Sequence, residues 1–262
     1  MKSVENELQK IISDNKSGSS QILVNINAWF VKNKFDIRTY DYFFNIIEKK
    51  LNNFAAIRNY VAQCRKKLKD ENITNLIKFQ KDLLKERKKE ITNLISKSVS
   101  ILEKYGNFIT ISNSRTVELF FKELAKKKKF NLVICESRPV YEGKILAEKL
   151  LQKNINIKLI TEAMIANEAE KCDAVVFGAD QFFANGNVVN KVGSRLLSIS
   201  AKYFHKPVFV IADKLKKSGK FIFVPEIKSK KEIWNNPPVK LKIENYYFEL
   251  IEKKLITKLI TN

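Results

Sequence analysis

The chain has 262 residues, room for one large domain or two ordinary ones at about 100–200 residues each. Apolar residues at 45% and aromatics at 11% exclude a disordered or low-complexity chain, which lacks the apolar surface to form a core. Lys and Arg number 49 against 28 Asp and Glu, a formal net charge of +21, which points to nucleic acid, an anionic membrane or phosphorylated small molecules and by itself selects none of them.

Up to residue 105, apolar residues recur at helical spacing: Ile22, Ile26, Trp29 and Phe30; Phe43, Phe44, Ile47 and Leu51; Ile57, Tyr60, Val61 and Cys64. A longer periodic stretch runs from Ile73 through Leu76, Leu83, Leu94 and Ile95 to Leu102. These spacings predict a helical bundle. Polar clusters at Asp14-Asn15, Asn33 to Asp36, Asn52-Asn53 and Asp70-Glu71-Asn72 fall where caps and turns belong. The opening residues lack a signal peptide's apolar stretch, and no run approaches the roughly 18 apolar residues of a membrane span, so a soluble chain with no membrane partner is expected.

From Gly106 the rhythm changes. Apolar runs at Phe108–Ile111, Leu132–Cys135, Ile155–Ile160, Ala174–Phe177 and Val208–Ile211 alternate with helical stretches, which predicts a mostly parallel sheet with helices on both faces. The expected division is a helical domain over 1–105 and an α/β domain over 106–262. Asn185-Gly186, between Phe182-Phe183 and Val188-Val189, is a hairpin signal. As a two-residue turn it would place Asp180 opposite Lys191. Beyond Pro225 an irregular segment, a strand around Lys240 to Ile243 and a closing helical turn are expected.

Cys64, Cys135 and Cys172 are odd in number and widely spaced, which indicates neither a disulfide framework nor zinc and fits a reducing cytoplasm. The single histidine, His205, follows a predicted helix and reads as a surface residue, which argues against a catalytic triad or histidine-rich metal site. No metal and no cofactor is implied.

In an open α/β sheet, ligands bind outside the carboxyl ends of the strands. Here those positions are polar: Ser112, Asn113, Ser114 and Arg115 after the first run; Glu136, Ser137 and Arg138 after the second; Asp180 after the fourth. Asn190 and Lys191 follow on the hairpin, and Asp213 and Lys216 follow the last run. Hydroxyls and backbone N–H groups at a helix start, with Arg115, Arg138, Lys191 and Lys216 converging, would form a phosphate site without a glycine-rich fingerprint. Ser112 to Arg115 also read as an ordinary helix cap, Glu136 with Arg138 as a local ion pair, and Cys135 as a buried small hydrophobe.

The words Cys135-Glu-Ser-Arg-Pro-Val-Tyr-Glu-Gly-Lys144, Val176-Phe-Gly-Ala-Asp180, Asn190-Lys-Val-Gly193 and Lys206-Pro-Val-Phe-Val210 carry a resemblance. With Ser17-Gly-Ser-Ser20 and Thr110-Ile-Ser-Asn-Ser-Arg-Thr-Val117, the chain resembles the translation initiation factor 2B alpha, beta and delta subunit family. That superfamily includes methylthioribose-1-phosphate and ribose-1,5-bisphosphate isomerases. The resemblance implies an N-terminal helical domain and a Rossmann-like domain that dimerises. It implies the proton-shuttling aspartate at Asp180, phosphosugar contacts at Asn190, Lys191 and Lys216, and a phosphate loop at Gly18, Ser19 and Ser20. The isomerases' catalytic cysteine is matched by Ser112, their loop arginine is missing, and Glu142 stands where they carry glutamine. A serine hydroxyl is far too weak an acid to serve unaided as a proton carrier.

Three functions follow as expectations. The first is a dimeric regulatory or binding subunit with a sugar-phosphate or nucleotide pocket, in a homodimer or an assembly with related subunits. The second is a divergent aldose–ketose phosphosugar isomerase, an intramolecular oxidoreductase, using Asp180 with Ser112 or a neighbour. The third, RNA binding through basic patches, is the least favoured because the lysine runs lie at predicted element ends with no single stripe.

Overall fold

The computed structural model describes residues 2–14, 17–68, 73–219 and 223–262. Four helices come first: α1 (Lys2–Ile12), α2 (Ser19–Lys32), α3 (Ile37–Lys50) and α4 (Ala55–Leu68). Their apolar faces, with Phe35 from the loop before α3, form an aromatic core in which Trp29, Phe30, Phe35, Tyr40, Phe43 and Phe44 pack edge to face, tilted or, for Phe30 on Tyr40, stacked. Asp36 caps α3, its carboxylate accepting the Thr39 N–H at 2.8 Å. The expected turn residues Asn15 and Asp70 to Asn72 lie outside the described residues.

The long helix α5 (Ile73–Leu102) belongs to two cores at once. Leu76 and Leu83 pack among the preceding helices, while Leu94, Ile95, Val99 and Leu102 pack against the sheet.

The α/β part follows: β1 (Asn107–Thr110), α6 (Arg115–Lys127), β2 (Phe130–Cys135), α7 (Glu142–Leu150), β3 (Ile155–Ile160), α8 (Ile165–Lys171) and β4 (Ala174–Phe177). Next come β5 (Gln181–Phe182), β6 (Val188–Lys191), α9 (Ser194–Tyr203), β7 (Val208–Ile211), β8 (Phe248–Ile251) and β9 (Lys258–Ile260). The main sheet is parallel, in the order β3-β2-β1-β4-β7-β9. Side chains alternate across it. Phe108 joins the layer of α5, α6 and α7, whereas its neighbour Ile109 joins that of α8 and α9, so both faces are covered as expected. No helix among the described residues is long and apolar enough to cross a membrane.

Two expectations are corrected. The hairpin loop has three residues: Phe183 donates to Asn187 O at 3.0 Å, and Gly186 takes the left-handed φ of 85° beside it. The register therefore pairs Gln181 with Val189 and Phe182 with Val188, one residue off a two-residue turn, and Asp180 does not face Lys191. The segment Lys240 to Ile243 is not a strand. Val239 is 97% exposed and residues 239–243 pair with no strand among the described residues, whereas Phe248–Ile251 finds the free edge of β6. The closing helical turn is only a 3-10 turn at Lys253–Leu255, after which the chain enters the main sheet as β9.

Candidate functional site

The order β3-β2-β1-β4-β7-β9 places β1 and β4 side by side while their connections leave in opposite directions, and this switch point opens a crevice above their carboxyl ends. A cleft of about 390 Å³ occupies it, roofed by the N-terminal helices. Of the sequence-predicted residues, Gly18, Ser19, Ser20, Ser112, Asn113, Ser114, Arg115, Asp180, Asn190 and Lys216 line it.

Close backbone packing holds these residues in place. A Cβ on Gly143 would lie 1.8 Å from Cys135 O, so α7 starts pressed onto the end of β2 and delivers Glu142, its first residue, into the cleft. Ser112 and Ser137 both take left-handed backbone, φ 72° and 64°, a conformation costing about 1–3 kcal/mol in non-glycine residues and concentrated at functional sites. The Ser112 N–H donates to Ser137 Oγ at 2.8 Å, and the Ser137 N–H to Glu162 Oε1 at 2.7 Å.

Two helix N-termini meet at the cleft. Gly18 caps α2 without a side chain, and a Cβ there would come within 3.2 Å of Asn113 O. Ser19 Oγ donates to Asp180 Oδ1 at 3.0 Å, tying the helical roof to the strand mouth. Ser20 is 6% exposed and its Oγ has no hydrogen-bond partner. Ser114 is the N-cap of α6 but makes no side-chain cap bond, and its buried Oγ is also unpartnered. The cap reading of Ser114 therefore does not account for its hydroxyl. First-turn N–H groups have no acceptor within their own helix and carry the positive end of its dipole.

The cations divide. Lys216, 4% exposed, lines the cleft on a 3-10 turn after β7. No carboxylate among the described residues lies within ion-pair distance of it. Burial lowers its pKa, the nearby Asp180 and Asp213 charges oppose that, and Arg87 adds to it. Behind it Arg87 of α5 and Asp213 form a buried ion pair at 2.6 Å. Lys191 is not among the lining residues. It is 1% exposed, its Nζ lies 2.8 Å from Glu142 Oε2, and the Tyr247 ring centroid is 4.3 Å away. Burial raises the Glu142 carboxyl; Lys191 opposes this, Asp180 adds to it, and a hydrogen bond with Ser112 opposes it. Asn190, 3% exposed, donates to Ser194 Oγ at 2.8 Å.

Arg138 is also absent from the lining. It stacks 4.9 Å over the Tyr141 ring and bonds to its hydroxyl, and it makes no ion pair with Glu136, which faces Lys144 at 3.7 Å. All three cysteines are buried and free. Burial pushes the Cys135 thiol far up, Cys64 up to about 12 and Cys172 up to about 11, so each is a packed hydrophobe rather than a nucleophile. His205 is exposed. Among the described residues no cluster of three or more His, Cys, Asp or Glu is placed to hold a metal ion.

Sequence reasoning missed three borders of the cleft: Ile12 to Asp14 at the end of α1; Lys49, Lys50, Leu51, Asn53 and Phe54 where α3 gives way to α4; and Glu226, Lys228, Glu232 and Tyr247 from the C-terminal segment. Lys228 sits in a lysine run that reads as a solvated edge, and only the tertiary fold brings it here. Chemically, the cleft offers dipole-directed N–H groups, free hydroxyls and a desolvated ammonium for an anion. Beside them stand the Glu142 and Asp180 carboxylates, the Asn190 amide and Ser112, among other polar groups of the lining.

Fold and crevice together define an α/β protein of Rossmann strand order, roofed by a helical unit, with a polar cleft at the switch point. The chain belongs to the initiation factor 2 subunit family, whose model matches residues 4–262. It is 30% identical over 169 residues to a methylthioribose-1-phosphate isomerase of Bacillus cereus, covering 60% of this chain and 48% of that protein. It is 27% identical over 184 residues to translation initiation factor eIF2B subunit beta of Dictyostelium discoideum, covering 65% and 46%. The chain thus spans about half the length of these curated relatives. In fold it is similar to the Pyrococcus horikoshii translation initiation factor eIF-2B, with a TM-score of 0.83 at 21% identity over 99% of this chain and 95% of that one.

Proposed function

We propose that this chain is a binding subunit related to initiation factor 2B that holds a phosphorylated small molecule, a sugar phosphate or nucleotide, without isomerising it. The observation that carries this reading is the residue pair at the switch point: Asp180 is present, but its companion after β1 is the Ser112 hydroxyl, engaged with the Glu142 carboxyl, and every thiol is buried outside the cleft. An acid–base shuttle needs a second group with a pKa near the operating pH, which an alcohol lacks. Phosphate binding is supported by the α2 and α6 N-termini, by Lys216 and by the Ser20 and Ser114 hydroxyls, which have no partner among the described residues.

The experiment is a calorimetric titration with ribose 1,5-bisphosphate, ribose 5-phosphate and methylthioribose 1-phosphate, run beside an assay for ketose formation. Binding without turnover is expected. Turnover that disappears in Asp180→Ala would establish the second reading, a divergent isomerase, which the nearness of the Glu142 and Asp180 carboxylates favours.

Dimerisation is part of the proposal. Helix α9 leaves Leu196, Ile199 and Tyr203 exposed at 50%, 46% and 77% on one face, a stripe suited to a second copy.

A further inference from the structure

A buried lysine stands just behind the cleft wall, outside the lining. Lys191, at the end of β6, is 1% exposed and lies under the rings of Tyr247 and Phe248, 4.3 and 5.5 Å from its Nζ. Its salt bridge is to Glu142 Oε2 at 2.8 Å. Glu142 reaches the site because Gly143 lets α7 start against the β2 carbonyl, and its carboxyl also engages Ser112 and feels the Asp180 charge. The deep cation is thus cancelled by a carboxylate that itself lines the cleft.

The other cations differ in setting. Lys216 is buried with no carboxylate at ion-pair distance among the described residues and stands with the two helix starts. Lys49 and Lys50 are exposed at the rim, and Lys228 is paired with Glu226 at 2.5 Å. Lys216 is therefore the buried lining lysine left for a phosphate, and the place where Lys191 would hold a second presents Glu142.

We propose that Glu142 is a specificity-determining residue: by neutralising Lys191 and facing the cleft, it closes a second anion subsite and restricts the interior to ligands with a single phosphate, whose uncharged hydroxyls lie beside Glu142. This inference rests on the phosphate-binding reading above and deepens it. Like charges brought together in a desolvated site reject a ligand more strongly than favourable contacts elsewhere select it. A hydroxyl next to Glu142 can donate to the carboxylate; a phosphate oxygen cannot.

The test is calorimetric titration of the full chain with ribose 5-phosphate and ribose 1,5-bisphosphate, for the wild type, Glu142→Gln and the double variant E142Q/K191Q. The wild type should favour the monophosphate by about tenfold or more, the scale of one close charge contact. In Glu142→Gln, which keeps the side-chain shape and releases the Lys191 charge, that preference should fall by about tenfold. In the double variant, with both charges gone, it should return to within about threefold of the wild type.

Two results would overturn the inference while leaving phosphate binding in place: a wild type that prefers the bisphosphate, or a preference unmoved in Glu142→Gln. Should Glu142→Gln fail to fold, as read from its thermal transition, the double variant still decides. A tenfold loss of bisphosphate affinity there, at the scale of one charge contact, would mean that Lys191 serves the ligand despite Glu142. If neither the wild type nor any variant takes up either compound, the phosphate reading falls first and this inference with it.

Discussion

Replacing Arg87 by methionine is the sharpest test of how the helical unit and the sheet are joined. Arg87 sits on α5 between the stretch packed in the helical core and the stretch packed on the sheet, and it meets Asp213 at 2.6 Å with both side chains 3–4% exposed. Methionine fills much of the same space but leaves the Asp213 carboxylate buried beside Leu215 N–H, its remaining donor at 2.8 Å. Breaking a buried pair from one side costs about 3–5 kcal/mol, against a total stability of about 5–15 kcal/mol for a folded protein. Urea unfolding followed by circular dichroism should show an unfolding free energy lowered by that amount, read from the shift in midpoint at unchanged m. Arg87→Met combined with Asp213→Asn removes the stranded charge and keeps an acceptor for Leu215, so it should recover at least about half of the loss. A single variant costing less than about 1 kcal/mol would place the pair among solvent-screened ones. A double variant no better than the single would show that the loss comes from packing rather than from uncompensated charge.

Three further outcomes follow from other sites. Gly178→Ala puts a Cβ 2.4 Å from Ser114 Oγ and 2.7 Å from Ser114 Cβ; it should cost about 1–3 kcal/mol of unfolding free energy and weaken phosphate binding, because the start of α6 must shift. Asp173 accepts from Gly106 N–H, Asn107 N–H and Asn107 Nδ2 at 2.8–3.1 Å; burial works to raise its carboxyl, but these donors hold it below its ordinary value. A depressed folded-state pKa gives stability that is present above the unfolded value and lost as pH falls through the folded one. The destabilisation in Asp173→Asn, about 1.5–3 kcal/mol at pH 7 for bonds to a charged group, should therefore shrink steadily below pH 3.8 in a series of urea titrations. For α9, light scattering should give twice the chain mass for the wild type and the single chain mass for Leu196→Asp combined with Ile199→Asp, and a wild-type monomer would remove the proposed interface.

The strands of the main sheet were legible because each is a short apolar run between helical stretches, and burial on both faces requires such runs. The five predicted runs are five of its six strands, within two residues at either end. The sixth, Lys258–Ile260, pairs with β7 through only three residues, too few to show a period. Val239, Leu241 and Ile243 do alternate, and for that reason mislead: alternation marks a strand only where an edge is available, and here Val239 and Leu241 stay exposed while Ile243 is half-buried. The polar residues at the mouths of β1 and β4 were readable by position alone. Glu142, in contrast, is named by its difference from a family pattern, and its bond to Lys191 depends on how α7 abuts β2, a contact fixed by Gly143 and Cys135 that no local period encodes.

The net charge of +21 has least influence where the chemistry is. Lys49, Lys50, Arg115, Lys216 and Lys228 line the cleft, but so do Asp14, Glu142, Asp180, Glu226 and Glu232, so the formal charge of the lining is balanced. Selectivity for an anion must then come from arrangement, with N–H dipoles and a desolvated ammonium on one side and carboxylates held by serine and lysine on the other. Surface lysines raise the encounter rate of any polyanion and are screened beyond about 8–10 Å at ordinary ionic strength; buried dipoles and Lys216 are screened far less. A ligand recognised by the second set should keep most of its affinity as salt rises, whereas RNA held by the first should lose it steeply. The salt dependence of binding therefore separates the pocket reading from the polyanion reading with wild-type protein alone.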